Sequence, residues 1–183
     1  MLATPRSSSA KRGFTLVELM AVVAISSVLA LIGVILVRRH LASAKTADAL
    51  AGIQAIRVAE ESFKAENGQY LNVSITSGPA WYPNPTPNRN VFTWRQEGHP
   101  DWPQWRVLPI ARTETRFGYL VNAGMPGAVA SPTIYVKRAV VWTPPPEPWY
   151  VIQVKGDRDA DGEAMFGVAT SFNGEVYIES DDE

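Results

Sequence analysis

One carboxylate, that of Glu18, lies inside an otherwise uncharged apolar segment. Between Phe14 and Val37 no other side chain is ionisable, and about 24 residues of α-helix span roughly 36 Å, enough to cross the hydrocarbon core of a bilayer. An acid placed in lipid costs on the order of 2.5–3.5 kcal/mol on insertion scales. The segment is predicted to be a membrane-spanning helix, and Glu18 to have a function and a partner.

A second group of acids has the spacing of calcium ligands. Asp157, Asp159 and Asp161 alternate in a predicted turn, and Glu163 follows them. Calcium-binding loops begin with acids at alternate positions, but the closing acid of an EF-hand would fall at Val168, which cannot bind a metal. Two interpretations stay open, namely a calcium site of another type and a solvated turn that uses Asp and Gly for its backbone geometry.

The rest of the sequence contains no residue set typical of an enzyme. It has no cysteine and only two histidines, His40 and His99, so neither a cysteine nucleophile nor a histidine-rich metal site is expected. No phosphate-binding glycine loop follows a predicted strand. With a formal net charge of −1, the chain also indicates no nucleic-acid surface. We expect a protein that is not an enzyme and has no cofactor other than, at most, calcium.

The residues at the start of the apolar segment match a known type of N-terminal signal. Residues 12–19, Arg-Gly-Phe-Thr-Leu-Val-Glu-Leu, resemble the class III signal of type IV prepilins and type II secretion pseudopilins. The resemblance implies that a membrane prepilin peptidase cuts after Gly13 and that the new amine of Phe14 is methylated. It also implies that Glu18 pairs with this amine during assembly.

Two geometries are open for that pair. Glu18 lies four residues after Phe14, so within one helix its carboxylate could face the amine of its own chain, where the helix dipole favours an acid. In a filament it could instead reach the amine of the next subunit. Two simpler explanations are weaker, because a secretory signal has a shorter apolar region without a central acid and a plain anchor gives the acid no purpose.

A long helix is expected to continue beyond the membrane segment. Apolar residues recur there at spacings of three and four, which predicts one apolar stripe along an amphipathic helix: Ala49, Ile53, Ile56, Ala59 and Phe63. The pair Asn67-Gly68 is a typical helix end. We expect the stripe to need a sheet to cover it.

The next segment is rich in proline and tryptophan. Seven prolines between residues 69 and 115 exclude regular helix or central strand over most of it. Its aromatic residues have two interpretations, packing of the loop on its own domain or a platform for a partner or glycan: Trp81, Tyr82, Trp94, Trp102 and Trp105.

From residue 116 onward the apolar pattern has a period of two, which is typical of strands. Strands are predicted at 117–121, 133–136, 149–154, 164–171 and 175–178, with a two-residue hairpin turn at Asn173-Gly174. The predicted fold class is α+β, in which the second half of a long N-terminal helix packs on a C-terminal antiparallel sheet, as in pilins.

The chain is thus expected to comprise a leader (1–13), a membrane and polymerisation helix (14–37), its amphipathic continuation (38–67), a connecting loop (68–115) and a sheet-rich head (116–183). The resemblance implies a single-pass inner-membrane protein with an extracytoplasmic head before assembly.

Three functions stay open at this point. The first is a major or minor pilin of a type IV pilus-like filament at the cell surface, and the second is a pseudopilin of a periplasmic type II secretion pseudopilus. The third is an accessory or tip protein that binds a partner or glycan through its tryptophan-rich loop. The expected partners are other pilin subunits, prepilin peptidase, an inner-membrane assembly platform and the membrane itself.

Overall fold

The computed structural model describes residues 13–76, 78–127, 132–137, 145–158 and 162–179. The chain divides into two compact units, Met1–Ala42 and Ser43–Glu183. The second unit, which we call the head, contains every strand of the described residues. The α+β fold class predicted from the sequence is confirmed.

The first helix, α1, spans Leu16–Asn67. It ends where the Asn-Gly pair predicts, because Gly68 adopts a φ of 75°, a conformation that costs glycine little. The Gly68 N–H then donates to the Lys64 carbonyl at 2.8 Å, which satisfies one of the free carbonyls at the helix end.

The N-terminal part of α1 is apolar on all sides. Leu16–Val37 has a mean hydropathy of 2.8, and by length and composition it can cross a membrane. Its large apolar side chains are exposed, with Leu16 at 75% and Leu31 at 65%. A helix that is hydrophobic all round needs lipid or other helices as its surroundings.

Among its described residues, the head contains six short strands and a one-turn helix after α1. In chain order these are β1 Phe92–Thr93, α2 Trp102–Trp105, β2 Glu114–Thr115, β3 Gly118–Gly124, β4 Trp149–Gly156, β5 Met165–Thr170 and β6 Val176–Glu179. β1 pairs with β2, and the other four form one antiparallel sheet in the order β3-β4-β5-β6. Each of these four strands pairs with its neighbour in sequence.

The apolar stripe of α1 packs on one face of this sheet, as predicted. Ala49, Ile53, Ile56 and Ala59 are at most 1% exposed, and Phe63 packs against them. The sheet contributes alternate residues to the same core, as a pleated strand requires: Tyr119 and Val121 from β3, Tyr150, Ile152 and Val154 from β4, and Ala169 from β5.

The strand predicted at 133–136 is wrong. Residues 132–137 form irregular structure that packs on the opposite face of the sheet, where Val136 contacts the cluster of Trp149, Val151 and Val168. The buried side chain of Gln153 replaces a partner strand. Its Oε1 accepts from the Tyr135 N–H and its Nε2 donates to the Thr133 carbonyl, both at 2.9 Å.

The two-residue turn predicted at Asn173-Gly174 is also wrong. β5 ends at Thr170 and β6 begins at Val176, and Gly174 does not have the positive φ of such a turn. Instead, the Asn173 side chain accepts from the Glu175 N–H at 3.0 Å. The Arg57 guanidinium holds this wider loop to α1 through the Thr170 and Gly174 carbonyls, at 3.4 Å each.

The proline- and tryptophan-rich segment is part of the head's core. Trp81, Trp94 and Trp105 are 7% exposed or less, which confirms the packing interpretation for these three rings. The segment also covers the open edge of β3. The Ser74 N–H donates to the Val121 carbonyl at 2.9 Å, and the Val121 N–H donates to the Ser74 hydroxyl at 2.9 Å.

The backbone of α1 approaches the sheet closely at Gly52. A methyl carbon added there would overlap the Tyr119 hydroxyl and lie 2.6 Å from the ring carbon that bears it. Tyr119 has no exposed surface and cannot easily move. Gly52 therefore has no room for any side chain.

We expect Gly52→Ala to destabilise the head although alanine favours helix by about 1 kcal/mol. Overpacking of this kind costs about 1–3 kcal/mol, and the six tryptophans all lie beyond residue 80, so near-ultraviolet circular dichroism of the full chain in detergent reports the melting of the head. Gly98→Ala is the matched control, because nothing lies within 4 Å of the added carbon. A Gly52→Ala variant that melts at or above the wild-type temperature would contradict the close contact.

Glu60 is a carboxylic acid with no exposed surface. Its Oε2 accepts from the Leu71 N–H at 2.9 Å, and its Oε1 is buried without a partner among the described residues. Burial raises the pKa of Glu60 to about 7, the Leu71 hydrogen bond opposes this rise, and the charge of Glu61 adds to it. Glu60 fixes the chain that leaves α1, since Leu71 lies just after the helix end.

This raised pKa predicts that the head loses stability as the pH rises. The contribution of protonated Glu60 is complete below its ordinary pKa of 4.5 and is lost as the pH rises through about 7, which corresponds to at most about 3 kcal/mol. Glu60→Gln keeps an acceptor for Leu71 and cannot ionise, so its melting temperature should fall less than that of the wild type between pH 5 and pH 8. The exposed acid Glu66 provides the control, and an equal effect of Glu66→Gln would contradict the assignment.

Candidate processing and assembly site

The beginning of α1 is capped by its own side chains. Gly13, Phe14 and Thr15 are not helical, and the helix begins at Leu16. The Thr15 hydroxyl accepts from the Glu18 N–H at 3.2 Å. In return, Glu18 Oε2 accepts from the Thr15 N–H at 3.3 Å and from its hydroxyl at 3.2 Å. This reciprocal arrangement is a capping box, which satisfies N–H groups that a helix leaves free at its start.

The capping box orients the carboxylate of Glu18. Oε2 is engaged by Thr15, so the group is directed toward the N-terminal end of the chain, while Oε1 makes no hydrogen bond among the described residues. The same end carries the positive pole of the helix dipole, which favours an acid. A carboxylate in this position can still accept a hydrogen bond from a charged amine through its second oxygen, Oε1.

The resemblance places three functional residues here, Gly13, Phe14 and Glu18, and they lie within six consecutive residues at the start of α1. Phe14 is 78% exposed, and the bond between Gly13 and Phe14 lies outside the helix. Backbone outside regular structure is the usual target of a peptidase. Sequence reasoning missed Thr15, although the spacing Thr15-x-x-Glu18 is itself the signature of a capping box.

The predicted acidic turn connects β4 to β5. Asp157 and Glu163 are described, whereas Asp159 and Asp161 lie outside the described residues. Among the residues that the structure describes, no three histidine, aspartate or glutamate side chains are grouped as metal ligands. The calcium hypothesis needs both outlying aspartates and stays a prediction.

Thermal melting of the full chain in detergent tests this hypothesis. A calcium ion held by Asp157, Asp159 and Asp161 would bind the folded state only and stabilise it by about 2.7 kcal/mol at a hundredfold excess over Kd. Calcium should then raise the melting temperature, magnesium should do so less because it dehydrates reluctantly, and Asp159→Ala should remove the response. A melting temperature that chelator leaves unchanged would identify the acids as a solvated turn.

His99 holds the proline-rich segment together. Its Nδ1 accepts from the Asp101 N–H at 3.1 Å, and its ring meets that of Tyr82 edge-on at 5.1 Å. Burial lowers the pKa of His99, and the charge of Asp101 opposes that shift. Asp101, which is fully buried, accepts from the Thr76 N–H at 3.1 Å and from its hydroxyl at 2.6 Å. These contacts give His99 a structural role.

Comparison with known families supports the assignment of the N-terminal site. Residues 8–34 match the family described as the prokaryotic N-terminal methylation motif. The chain carries a class III prepilin signal. This signal is the one found in type IV pilins and pseudopilins, and it begins before Gly13 and continues into the apolar half of α1. No curated protein matches the chain, and no solved structure matches it.

The motif supports a type IV pilin-like or pseudopilin precursor. It implies processing by prepilin peptidase and assembly with other pilins, and it favours a structural subunit. The apolar segment Leu16–Val37 fits an inner-membrane anchor.

Proposed function

We propose that this protein is a structural subunit, a major or minor pilin, of a type IV pilus-like filament. Prepilin peptidase removes residues 1–13, Phe14 becomes the methylated N-terminus, and the subunit polymerises through the apolar half of α1. The observation that carries the proposal is the methylation motif at 8–34, which leads into a helix whose apolar side chains are exposed on all sides.

The proposed role of Glu18 is to neutralise the amine that cleavage creates. An amine and a carboxylate attract each other much more strongly at low dielectric than in water. The capping box supports this role because it holds Oε2 against Thr15, next to Phe14, and leaves Oε1 without a hydrogen bond among the described residues. The proposed partner is the amine of Phe14 in the next subunit. The same ion pair then also fixes the position of one subunit relative to the next.

The head supplies the surface of the filament. Its core is closed on both faces of the sheet, so it needs no additional subunit to bury apolar strands. The proposed location is the inner membrane with the head outside the cytoplasm before assembly, and the cell surface afterwards.

Two measurements test the proposed processing and the proposed location of the protein. Mass spectrometry of assembled protein should find an N-methylated Phe14 as the first residue, whereas an intact leader in filaments would refute the proposal. A pilin should dominate or be incorporated throughout sheared surface filaments. Absence from them, with retention in the periplasm, would indicate a pseudopilin of a type II secretion system instead.

Substitutions at Glu18 separate its charge from its capping function. Glu18→Gln keeps an acceptor for Thr15, as glutamine also serves in capping boxes, but it cannot neutralise an amine. Removing one partner of a buried ion pair costs about 3–5 kcal/mol, so we expect normal membrane insertion and a large loss of filaments. Ser26→Ala in the same segment is the control, and wild-type filament yield from Glu18→Gln would show that capping alone is needed.

A further inference from the structure

A pocket of about 310 Å³ opens on the head beside β1 and α2. Its lining combines aromatic and cationic side chains, and none of the described residues that line it is an acid. The residues that matter are Trp94, Trp102, Trp105, Arg95, Arg106 and Arg112. The formal net charge of the whole chain is −1, so the chain as a whole has no excess of positive charge. The three arginines are a local concentration of it.

The three arginines of the pocket differ in their partners. Arg95 Nε donates to Glu97 Oε1 at 2.7 Å, and Arg112 Nη2 donates to Asp48 Oδ1 at 2.9 Å. Arg106 is exposed and has no ion pair or side-chain hydrogen bond with any residue that the structure describes. Its planar guanidinium can therefore bind an external carboxylate through two parallel hydrogen bonds.

Two indole groups of the pocket lack an acceptor. Trp94 Nε1 and Trp105 Nε1 are buried, and neither has a hydrogen-bond partner among the described residues. Most buried side-chain donors in proteins do have a partner, so such exceptions need an explanation. Both rings line the pocket, but neither N–H has exposed surface, so these two indoles contribute apolar walls and not hydrogen-bond donors to a ligand.

Trp102 gives the pocket an apolar surface. It is half-buried, and the ring of Tyr82 lies nearly parallel to it, with an interplanar angle of 16° and centroids 6.4 Å apart. Tyr82 therefore covers one side of the indole, and the remaining exposed part of the ring lines the pocket. The apolar face of a sugar ring can pack on an indole while its hydroxyl groups stay hydrogen-bonded, as amphipathic ligands require.

We propose that this pocket binds a carboxylated saccharide, a hexuronate unit of an acidic glycan. The sugar ring packs on Trp102, and its carboxylate pairs with Arg106. An acidic peptide fits less well, because peptides commonly bind by adding a strand to an open sheet edge. β1 is only two residues long, which is too short to hold a peptide by strand addition. Binding at this pocket would be a function of the head in addition to the proposed filament formation.

Tryptophan fluorescence of the full-length protein in detergent tests the proposal, with oligogalacturonate as the probe. We expect saturable binding that becomes about tenfold weaker or more when the carboxylates are methyl-esterified, because hydrogen bonds to charged groups are the strong ones. No saturable binding, or equal affinity for the ester, would overturn the proposal. Tighter binding of an oligoglutamate peptide would overturn it in favour of a peptide site.

Variants locate the binding to this pocket. Arg106→Gln should weaken oligogalacturonate binding about tenfold or more, whereas Arg158→Gln, a matched change outside the pocket lining, should leave it unchanged. Equal losses in both variants would indicate diffuse charge attraction and overturn the proposal. Trp102→Ala should also reduce affinity, with folding checked by near-ultraviolet circular dichroism. If that variant does not fold, the comparison of Arg106→Gln with Arg158→Gln decides the outcome.

Discussion

The head depends on one close contact, between the apolar stripe of α1 and the first two strands of its main sheet. Gly52 allows the helix backbone to approach Tyr119 until no atom can be added between them. This proximity buries Ile53 and Ile56 completely, and a dense core forms only when elements approach this closely. The contact also fixes where the rest of the head lies, because β3 and β4 are paired to each other in a single register.

Buried polar side chains connect the irregular segments to this core. Glu60 accepts a backbone N–H just beyond α1, Asp101 accepts two hydrogen bonds from Thr76, and Gln153 binds the 132–137 segment on both its donor and acceptor sides. A chain without cysteine cannot use disulfides for this purpose. Each polar group is costly to bury alone and stabilises only while its partner is in place, so these segments form together with the core.

Local patterns predicted the helix and most of the sheet, since the stripe, the Asn67-Gly68 end and four strands follow from periodicity and turn residues. The failures have separate causes. Residues 133–136 have the composition of a strand, but the side chain of Gln153 takes the place of a partner strand. No local sequence pattern reveals such a long-range contact. Glu60 was not predicted to be buried, although it stands four residues after Ile56, on the stripe itself. At the N-terminal site, a motif predicted Glu18, but its hydrogen bonds to Thr15 depend on the exact start of the helix.

The hydrogen bonds of Gln153 have a consequence for amide hydrogen exchange. A backbone N–H in a sheet is normally protected by another backbone, and it exchanges when the strands separate. The Tyr135 N–H is protected by a side chain that can leave by rotating about its own bonds. Exchange at this one amide therefore reports the loss of a side-chain hydrogen bond and not the opening of the sheet. Release of residues 132–137 from this face would break no hydrogen bond of the described β-ladders.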